Sequence, residues 1–442
     1  MAEAREVAYA ALRRVEENDA YSNIVLDTLL EESGLSGRDK SFCAKLFYGV
    51  LENKLLLDYN IAVRSDRSVH AIDRKVIVLL RMGLYQLFLM DSVTNAAAVN
   101  ETVRLCRQNG LDKAAGFVNA LLRKAAADQQ LRTPDPKKGK NKYLSVRYSC
   151  PETIVKLWRE SYGDDLTAGL LQSLSERPPL SVRVNTLHTD AAKLTARLAA
   201  EGVQAELSAW DDNALLLQDT GAVERLASFQ EGDFHVQDMA SQLCCRFLDP
   251  QPEETVFDVC AAPGGKSFTC AERMCDRGRI MACDLYEARL GLVQNGAQRL
   301  GIHIINTKAG DAAALQSDTM ADRVLCDVPC SGLGILRRKP ELRYKDDLGL
   351  SALPDLQYRI LCRAASFVRS GGRLLYSTCT LHPRENHDNV QRFLAEHEDF
   401  VPCPLSLPEG MTRGIPEPDN ELTLLPPLHG TDGFFISMFQ RK

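Results

Sequence analysis

Two cysteines in this chain of 442 residues stand apart from the other twelve. Cys330 lies in Asp327-Val328-Pro329-Cys330-Ser331-Gly332 and Cys379 in Tyr376-Ser377-Thr378-Cys379-Thr380. Each stretch closes a run that reads as a β-strand, so both thiols fall in polar loops at strand ends. A thiolate there is a strong nucleophile even when only a fraction is ionised, and nearby cations or free amides lower its pKa below ~8.5. The basic run Arg337-Arg338-Lys339, with Arg343 and Lys345 beyond it, follows Cys330 and is expected to steer a polyanionic substrate.

A third stretch supplies a reaction partner. Thr255-Val256-Phe257-Asp258-Val259 is apolar and β-prone; Cys260-Ala261-Ala262-Pro263-Gly264-Gly265 then turns sharply into a helix that opens with Lys266-Ser267. Glycines at such a turn let backbone approach a ligand, and the free amides at the helix start attract electron-rich groups. Asp284 closes the next strand about 20 residues after the glycines, where a carboxylate accepts hydrogen bonds from ribose hydroxyls. A phosphate cradle would need glycine where Cys260 stands, and the Gly-x-Gly-x-x-Gly of dinucleotide sites is missing. Beside a plain structural turn, a nucleoside-type cofactor without phosphates remains, and S-adenosylmethionine fits best. Gly310-Asp311, after the third strand, suits either an adenine amino group or the cap of a short turn.

Two thiols, an aspartate and a methyl donor in one cleft define a chemistry. Carbon 5 of a pyrimidine is too weakly nucleophilic to take a methyl group directly. Addition of a thiolate to carbon 6 makes carbon 5 enamine-like, a carboxyl group at N3 stabilises the developing charge, and a base must later remove the carbon-5 proton so that the thiol leaves. Cys379 is read as the nucleophile, Asp327 as the partner of N3, and Cys330 as the group that assists release. The Pro-Cys after Asp327, in place of an Asp-Pro-Pro-Tyr-like motif, points away from methylation of an exocyclic amine.

These loops need a scaffold. From residue 251 strands and helices alternate, with strands expected at 255–259, 279–283, 302–307, 323–326 and 373–376, helices at 266–274, 288–300, 353–368 and 385–396, and a closing hairpin at 422–425 and 433–440. That is an α/β, mostly parallel sheet in which ligands lie beyond the carboxyl ends of the strands. Residues 1–130 show apolar residues at helical spacing and no strand alternation, which predicts a bundle of six or seven helices. Residues 131–147 hold six basic residues (Arg132, Lys137, Lys138, Lys140, Lys142, Arg147), one acid (Asp135) and two prolines, and read as a linker that is either solvated or in contact with a phosphate backbone. Residues 148–250 read as a small α+β unit, packing or RNA-binding, with helices at 151–162, 164–173 and 190–201 and strands at 180–185, 205–209 and 214–217.

Composition sets outer bounds. With 45% apolar and 25% charged residues the chain is ordinary for a globular protein, and a net charge of −6 excludes a protein coated in positive charge. No signal-peptide pattern opens the chain, the apolar stretch 76–90 is short and interrupted by Arg81, and a cytoplasmic protein with no membrane partner is expected. The 14 cysteines show no Cys-x-x-Cys spacing, so no metal site is expected. Cys43, Cys106, Cys244, Cys245, Cys270 and Cys362 read as buried small hydrophobes.

Taken together, 260–266, 327–332 and 377–379 resemble the RNA 5-methylcytosine methyltransferases of the NOL/NOP2/Sun family. Upstream, 80–86, 97–101 and 115–120 resemble the NusB-type helical RNA-binding fold. The resemblance implies a NusB-like bundle, a small middle domain and a Rossmann-like, class I S-adenosylmethionine-dependent methyltransferase domain. It also implies that the Thr-Cys thiol, Cys379, attacks while the Pro-Cys thiol, Cys330, helps release, the reverse of DNA cytosine-5 enzymes. By the same resemblance Cys260, Ala261, Ala262, Pro263, Gly264, Gly265 and Lys266 bind the methionine part of the cofactor, with Asp284, Arg289, Asp311 and Asp327 completing its site; Lys266 and Asp327 face the target base. Arg384 departs from the acidic residue that many relatives carry before Glu385-Asn386. The implied partner is 16S rRNA, naked or in an early pre-ribosomal small subunit, methylated at one cytosine (967 by the resemblance) by a monomer. The same chemistry on tRNA, or a non-catalytic RNA-binding assembly or antitermination factor, are the alternatives; the intact loop, both cysteines and the three aspartates speak against the last.

Overall fold

A computed structural model describes residues 3–18, 21–218, 220–345 and 352–442. The chain divides into two compact units, Met1–Glu176 with Leu336–Asp346, and Arg177–Ile335 with Asp347–Lys442. Residues 148–176, expected to open the middle unit, therefore pack with the helical one.

The first unit begins with α1 (Ala4–Asn18), α2 (Ser22–Glu32), α3 (Gly37–Glu52), α4 (Lys54–Ser65), α5 (Arg74–Leu89), α6 (Asn95–Gln108) and α7 (Asp112–Asp128). Ser36, Asp73 and Thr94 cap α3, α5 and α6 by accepting a backbone N–H from the first turn. The apolar run 42–57 is split between α3 and α4 because Asn53 ends α3: its backbone N–H and its amide both donate to the Gly49 carbonyl. Leu46, Phe47, Leu57, Leu79, Leu80, Val118 and Leu122 form the fully buried core. Arg81, which breaks the apolar pattern of α5, is buried and neutralised by Asp58 at 2.6 Å and Glu16 at 2.7 Å.

The basic stretch is not a plain linker: it carries α8 (Lys140–Tyr148), and α9 (Glu152–Ser173) follows, kinked at Gly163, whose φ of +77° explains the expected break there. Lys140 pairs with Asp164 and Arg132 with Asp128, while Lys137, Lys138 and Lys142 are exposed.

The last part of this unit comes from far along the chain. The strap Leu336–Asp346 contains a short 3-10 turn, Pro340–Tyr344. The Glu341 carboxylate accepts from the Ser22 hydroxyl at 2.7 Å. Arg343, expected to steer substrate, is instead 2% exposed, and its guanidinium donates to the carbonyls of Glu52, Ser149, Leu174 and Leu336. Lys339 and Lys345 place their ammonium groups 4.8 and 5.2 Å from the Tyr21 ring centroid. Arg343→Ala removes a donor from four carbonyls, of which Ser149 keeps the Tyr344 hydroxyl, and is expected to cost about 3 kcal/mol, read as a lower urea midpoint; a loss below about 0.5 kcal/mol, the range of ordinary surface changes, would contradict that role.

The second unit opens with β1 (Leu180–Val184), α10 (Ala191–Ala200), β2 (Gln204–Leu207), β3 (Ala214–Gln218), α11 (Ala227–Gln230) and β4 (Phe234–Val236), an antiparallel sheet in the order β2-β3-β1-β4. Strand β4 carried no signal strong enough to be expected, being three residues long. After α12 (Met239–Leu248) come β5 (Thr255–Asp258), α13 (Gly265–Arg273), β6 (Arg279–Asp284), α14 (Glu287–Arg299), β7 (Ile305–Ala309) and β8 (Ala321–Asp327). The chain ends with α15 (Leu353–Ala365), β9 (Val368–Thr378), α16 (His387–Glu396), β10 (Phe400–Pro402), β11 (Glu421–Leu424), α17 (Pro426–His429) and β12 (Phe434–Arg441).

The large sheet runs β10-β12-β9-β8-β5-β6-β7, parallel from β9 to β7 and closed by antiparallel β12, with β11 on β12. Its order reverses between β5 and β8, the switch point at which such sheets bind ligands. Strand β7 starts later than expected because Ile302 is buried and donates its N–H to Ala297, closing α14. Helix α15 ends earlier, since Val368 pairs with Ala321 in the sheet. The expected helix 385–396 is two pieces, a 3-10 turn Pro383–Glu385 and α16, separated at Asn386. Buried Arg183 of β1 ties the small sheet to α13, donating to Glu272 at 3.1 Å and to Asp211 at 2.9 Å. Among the described residues no helix is long and apolar enough to cross a membrane.

Candidate active site

The glycine turn links β5 to α13 and is held from both sides by its neighbours. Val259 donates to Leu325 of β8, and Ala261 to Cys283 of β6. Gly264 has φ of +113°, and a Cβ there would lie 2.5 Å from the Phe268 ring, so the position requires glycine. Asp258 is fully buried and accepts from the Ser267 hydroxyl at 2.7 Å. Burial pushes its carboxyl up to about 7, with Ser267 and Lys266 opposing the shift.

A titration effect follows. Folded Asp258 keeps its proton to higher pH than an unfolded aspartate (3.8), so it favours the fold at acid pH and loses that contribution as pH rises from about 4 to about 7. The loss is on the order of 4 kcal/mol at most. Asp258→Asn is expected to narrow the gap in urea midpoint between pH 5 and pH 8; an unchanged gap would show that Asp258 does not titrate there.

The residues read as binding the cofactor follow the ends of β5, β6 and β7, with Arg289 on α14. Asp284 is 4% exposed and accepts from the backbone of Tyr286. Arg289 of α14 is 3.1 Å from Asp284 and donates to the Ala262 carbonyl at 2.9 Å, joining that carboxylate to the glycine turn. Leu285 and Tyr286, which the sequence did not single out, are exposed beside them. Asp311 is exposed, and its Oδ1 takes the N–H of Ala313; the capping bond thus forms beside Asp284, whose carbonyl accepts from Gly310. A glycine cradle with the helix-start amides behind it, and two carboxylates at adjacent strand ends, form a donor and acceptor set that fits a methionine–ribose–adenine ligand.

Of the residues read as facing the base, Asp327, Cys330 and Cys379 lie at or just beyond the ends of β8 and β9, and Lys266 lies in the first turn of α13. Asp327 accepts from Ser377 at 2.7 Å and from the Lys266 ammonium at 2.7 Å. Lys266 also donates to Ser241, and it lies 5.4 Å from the Phe434 ring centroid. Burial lowers its pKa most, but Asp327, through its charge and its hydrogen bond, and the neighbouring Cys244 and Cys245 together raise it above the ordinary lysine value, which keeps Lys266 protonated. The thiols of Cys330 and Cys379 are 3.0 Å apart, both half-buried. The hydrogen bond to Cys379, then burial, push the Cys330 thiol well up, which keeps its proton in place. The two loops are in backbone contact: Gly334 donates to Cys379 and accepts from Gly433, and a Cβ on Gly334 would lie 1.8 Å from the Gly433 carbonyl.

Of the cysteines read as buried hydrophobes, Cys43, Cys106, Cys244, Cys245 and Cys270 are buried, whereas Cys362 is half-buried and contacts His397. Ser241, Gln357 and Glu385 also reach this region and were missed as site residues; Glu385 lies in a polar run, Arg384–Asp388, with no apolar period to mark it as buried.

Comparison with known proteins agrees with this domain architecture. Residues 245–440 match the family described as 16S rRNA methyltransferase RsmB/F, residues 2–127 the NusB family, and residues 150–224 the ferredoxin-like domain of RsmF/B-like methyltransferases. The chain is 36% identical over 445 residues to the probable ribosomal RNA small subunit methyltransferase B of Bacillus subtilis, covering 99% of this chain and 98% of that one. It is 37% identical to the protein of the same description from Synechocystis, over the full length of both. The chain belongs to the ribosomal RNA small subunit methyltransferase B family. Family B membership makes it an S-adenosylmethionine-dependent RNA methyltransferase. The fold is similar to that in the crystal structure of PH0851, with a TM-score of 0.83 at 26% identity, covering 100% of this chain and 99% of that one.

Proposed function

We propose that this protein methylates carbon 5 of a single cytosine in 16S rRNA, cytosine 967 by family resemblance, through a transient bond between Cys379 and the base. The reading is supported most by the pair of thiols 3.0 Å apart at the ends of β8 and β9, next to the Asp327–Lys266 pair. S-adenosylmethionine, when bound, supplies an electrophilic methyl group. Residues 260–266 hold its methionine part, Asp284 its ribose and Asp311 its adenine, with Arg289 lining the same site and Asp327 between cofactor and base.

Cys379 Sγ adds as thiolate to carbon 6 of the cytosine, which places an electron pair on carbon 5; carbon 5 then takes the methyl group as the bond to the donor's sulfonium sulfur breaks and S-adenosylhomocysteine leaves. Asp327, held by Ser377 and Lys266, faces the N3 edge as a carboxylic acid when the base is bound, donating its O–H to N3 and stabilising the negative charge that develops there. Lys266 keeps that carboxyl group oriented. Cys330 acts at the last step, its S–H donating to the Cys379 sulfur as that sulfur leaves carbon 6, while the carbon-5 proton passes to a base from solvent. A monomer in the cytoplasm working on naked 16S rRNA or an early small-subunit particle, through its NusB-like unit (1–130), basic stretch (131–147), middle domain (148–250) and catalytic domain (251–442), completes the proposal.

The test is transfer of isotope-labelled methyl from S-adenosylmethionine to naked 16S rRNA, with mass-spectrometric mapping of the product. One 5-methylcytosine is expected. A methylated exocyclic amine, a methylated ribose, or label in tRNA alone would overturn the proposal.

A further inference from the structure

Glu385 is fully buried, and its carboxylate touches both cysteine loops. Oε2 accepts the backbone N–H of Ser331 at 2.9 Å and Oε1 the Ser331 hydroxyl at 2.5 Å, one residue beyond Cys330. Oε1 also lies 3.4 Å from the hydroxyl of Thr380, one residue beyond Cys379, and the Ser331 and Thr380 hydroxyls are 2.7 Å apart. Gln357 of α15 donates through one amide nitrogen both to Glu385, at 2.7 Å, and to the carbonyl of Pro329, one residue before Cys330. The neighbouring Asn386 accepts from Thr378 and donates to the Thr380 carbonyl, so the same turn grips the Cys379 loop on both sides.

These four donors to Glu385 are neutral: a backbone amide, two hydroxyls and a side-chain amide. A buried carboxylate among neutral donors is costly to desolvate, and an apolar or amide side chain would give rigidity at lower cost. A glutamine, however, would set its own N–H₂ against the donors on one side. Only a carboxylate accepts from both loops and from Gln357 at once.

We propose that Glu385 is a positioning residue that sets the spacing of the Cys330 and Cys379 thiols, and so controls the release of the methylated base. The inference rests on the roles proposed above for the two cysteines. Independently of those roles, the negative charge of Glu385 adds to burial and the Cys379 contact in keeping Cys330 protonated.

The experiment compares wild type, Glu385→Gln, Glu385→Asp, Cys330→Ala and Cys379→Ala as full-length proteins. In Glu385→Gln, S-adenosylmethionine affinity by calorimetry and the circular dichroism spectrum should stay within about twofold of wild type, whereas decay of the denaturant-resistant protein–RNA adduct slows about tenfold or more, the scale of a misplaced reacting group. Glu385→Asp, which keeps both oxygens, should recover part of the release rate. Diamide gives a second readout without RNA. It takes two electrons and two protons from the thiols, becoming the hydrazine as a Cys330–Cys379 disulfide forms, and mass spectrometry follows the loss of two hydrogens. That closure should also slow about tenfold in Glu385→Gln. Wild-type rates in both assays would overturn the proposal, as would parallel loss of cofactor affinity, adduct formation and release. If Cys379→Ala still forms adduct, or Cys330→Ala does not accumulate it, the cysteine roles fail instead, and diamide closure still decides whether Glu385 sets the spacing.

Discussion

Cys379→Ala is expected to abolish methyl transfer while S-adenosylmethionine remains bound. Carbon 5 of cytosine becomes reactive only after a nucleophile has added at carbon 6, so removing the sulfur removes the reaction rather than slowing one of its steps. Loss of a covalent nucleophile typically costs on the order of 10⁴-fold or more. Cofactor affinity should hold because the Cys260–Lys266 turn is fixed by bonds to β6 and β8 that do not involve position 379. Single-turnover transfer of labelled methyl to 16S rRNA, alongside calorimetric binding of the cofactor, measures both halves. Near-normal turnover by the alanine variant would remove Cys379 from the chemistry.

Cys330→Ala is expected to stop at a different point. The nucleophile is intact, so the protein attaches to its RNA, but release is impaired, and a covalent complex that survives denaturant should accumulate to a large fraction of the enzyme. The 3.0 Å approach of the two sulfurs supports this: a group that close to Cys379 shares its surroundings throughout the reaction. Denaturing electrophoresis, followed by nuclease digestion and mass analysis, identifies the adduct and its attachment site. An adduct with Cys379→Ala and none with Cys330→Ala would reverse the two roles.

The glycine turn, the aspartates and both cysteines could be read from the sequence because each lies within a few residues of its own strand end. A strand–loop–helix pattern is local, and in a parallel sheet the carboxyl ends of successive strands face one edge. The errors have the same origin. Ile302, Phe367 and Val368 are apolar residues at element boundaries, where a helix-closing turn and a buried strand leave the same short pattern. Arg343 looked like a solvated loop charge because its partners, the carbonyls of Glu52, Ser149 and Leu174, lie some 170 to 290 residues away.

What could be read from the sequence by itself, then, is the methyltransferase class and the proposed carriers of its chemistry: Cys379, Cys330, Asp327 and the 260–266 turn, each marked by neighbours in the chain. What only the tertiary structure decided is how those carriers meet. The thiol pair, the Lys266–Asp327 bond, the buried Glu385 bridge and the strap at 336–346 are contacts between segments distant in the chain. They are set by strand order and side-chain packing, which no local periodicity encodes.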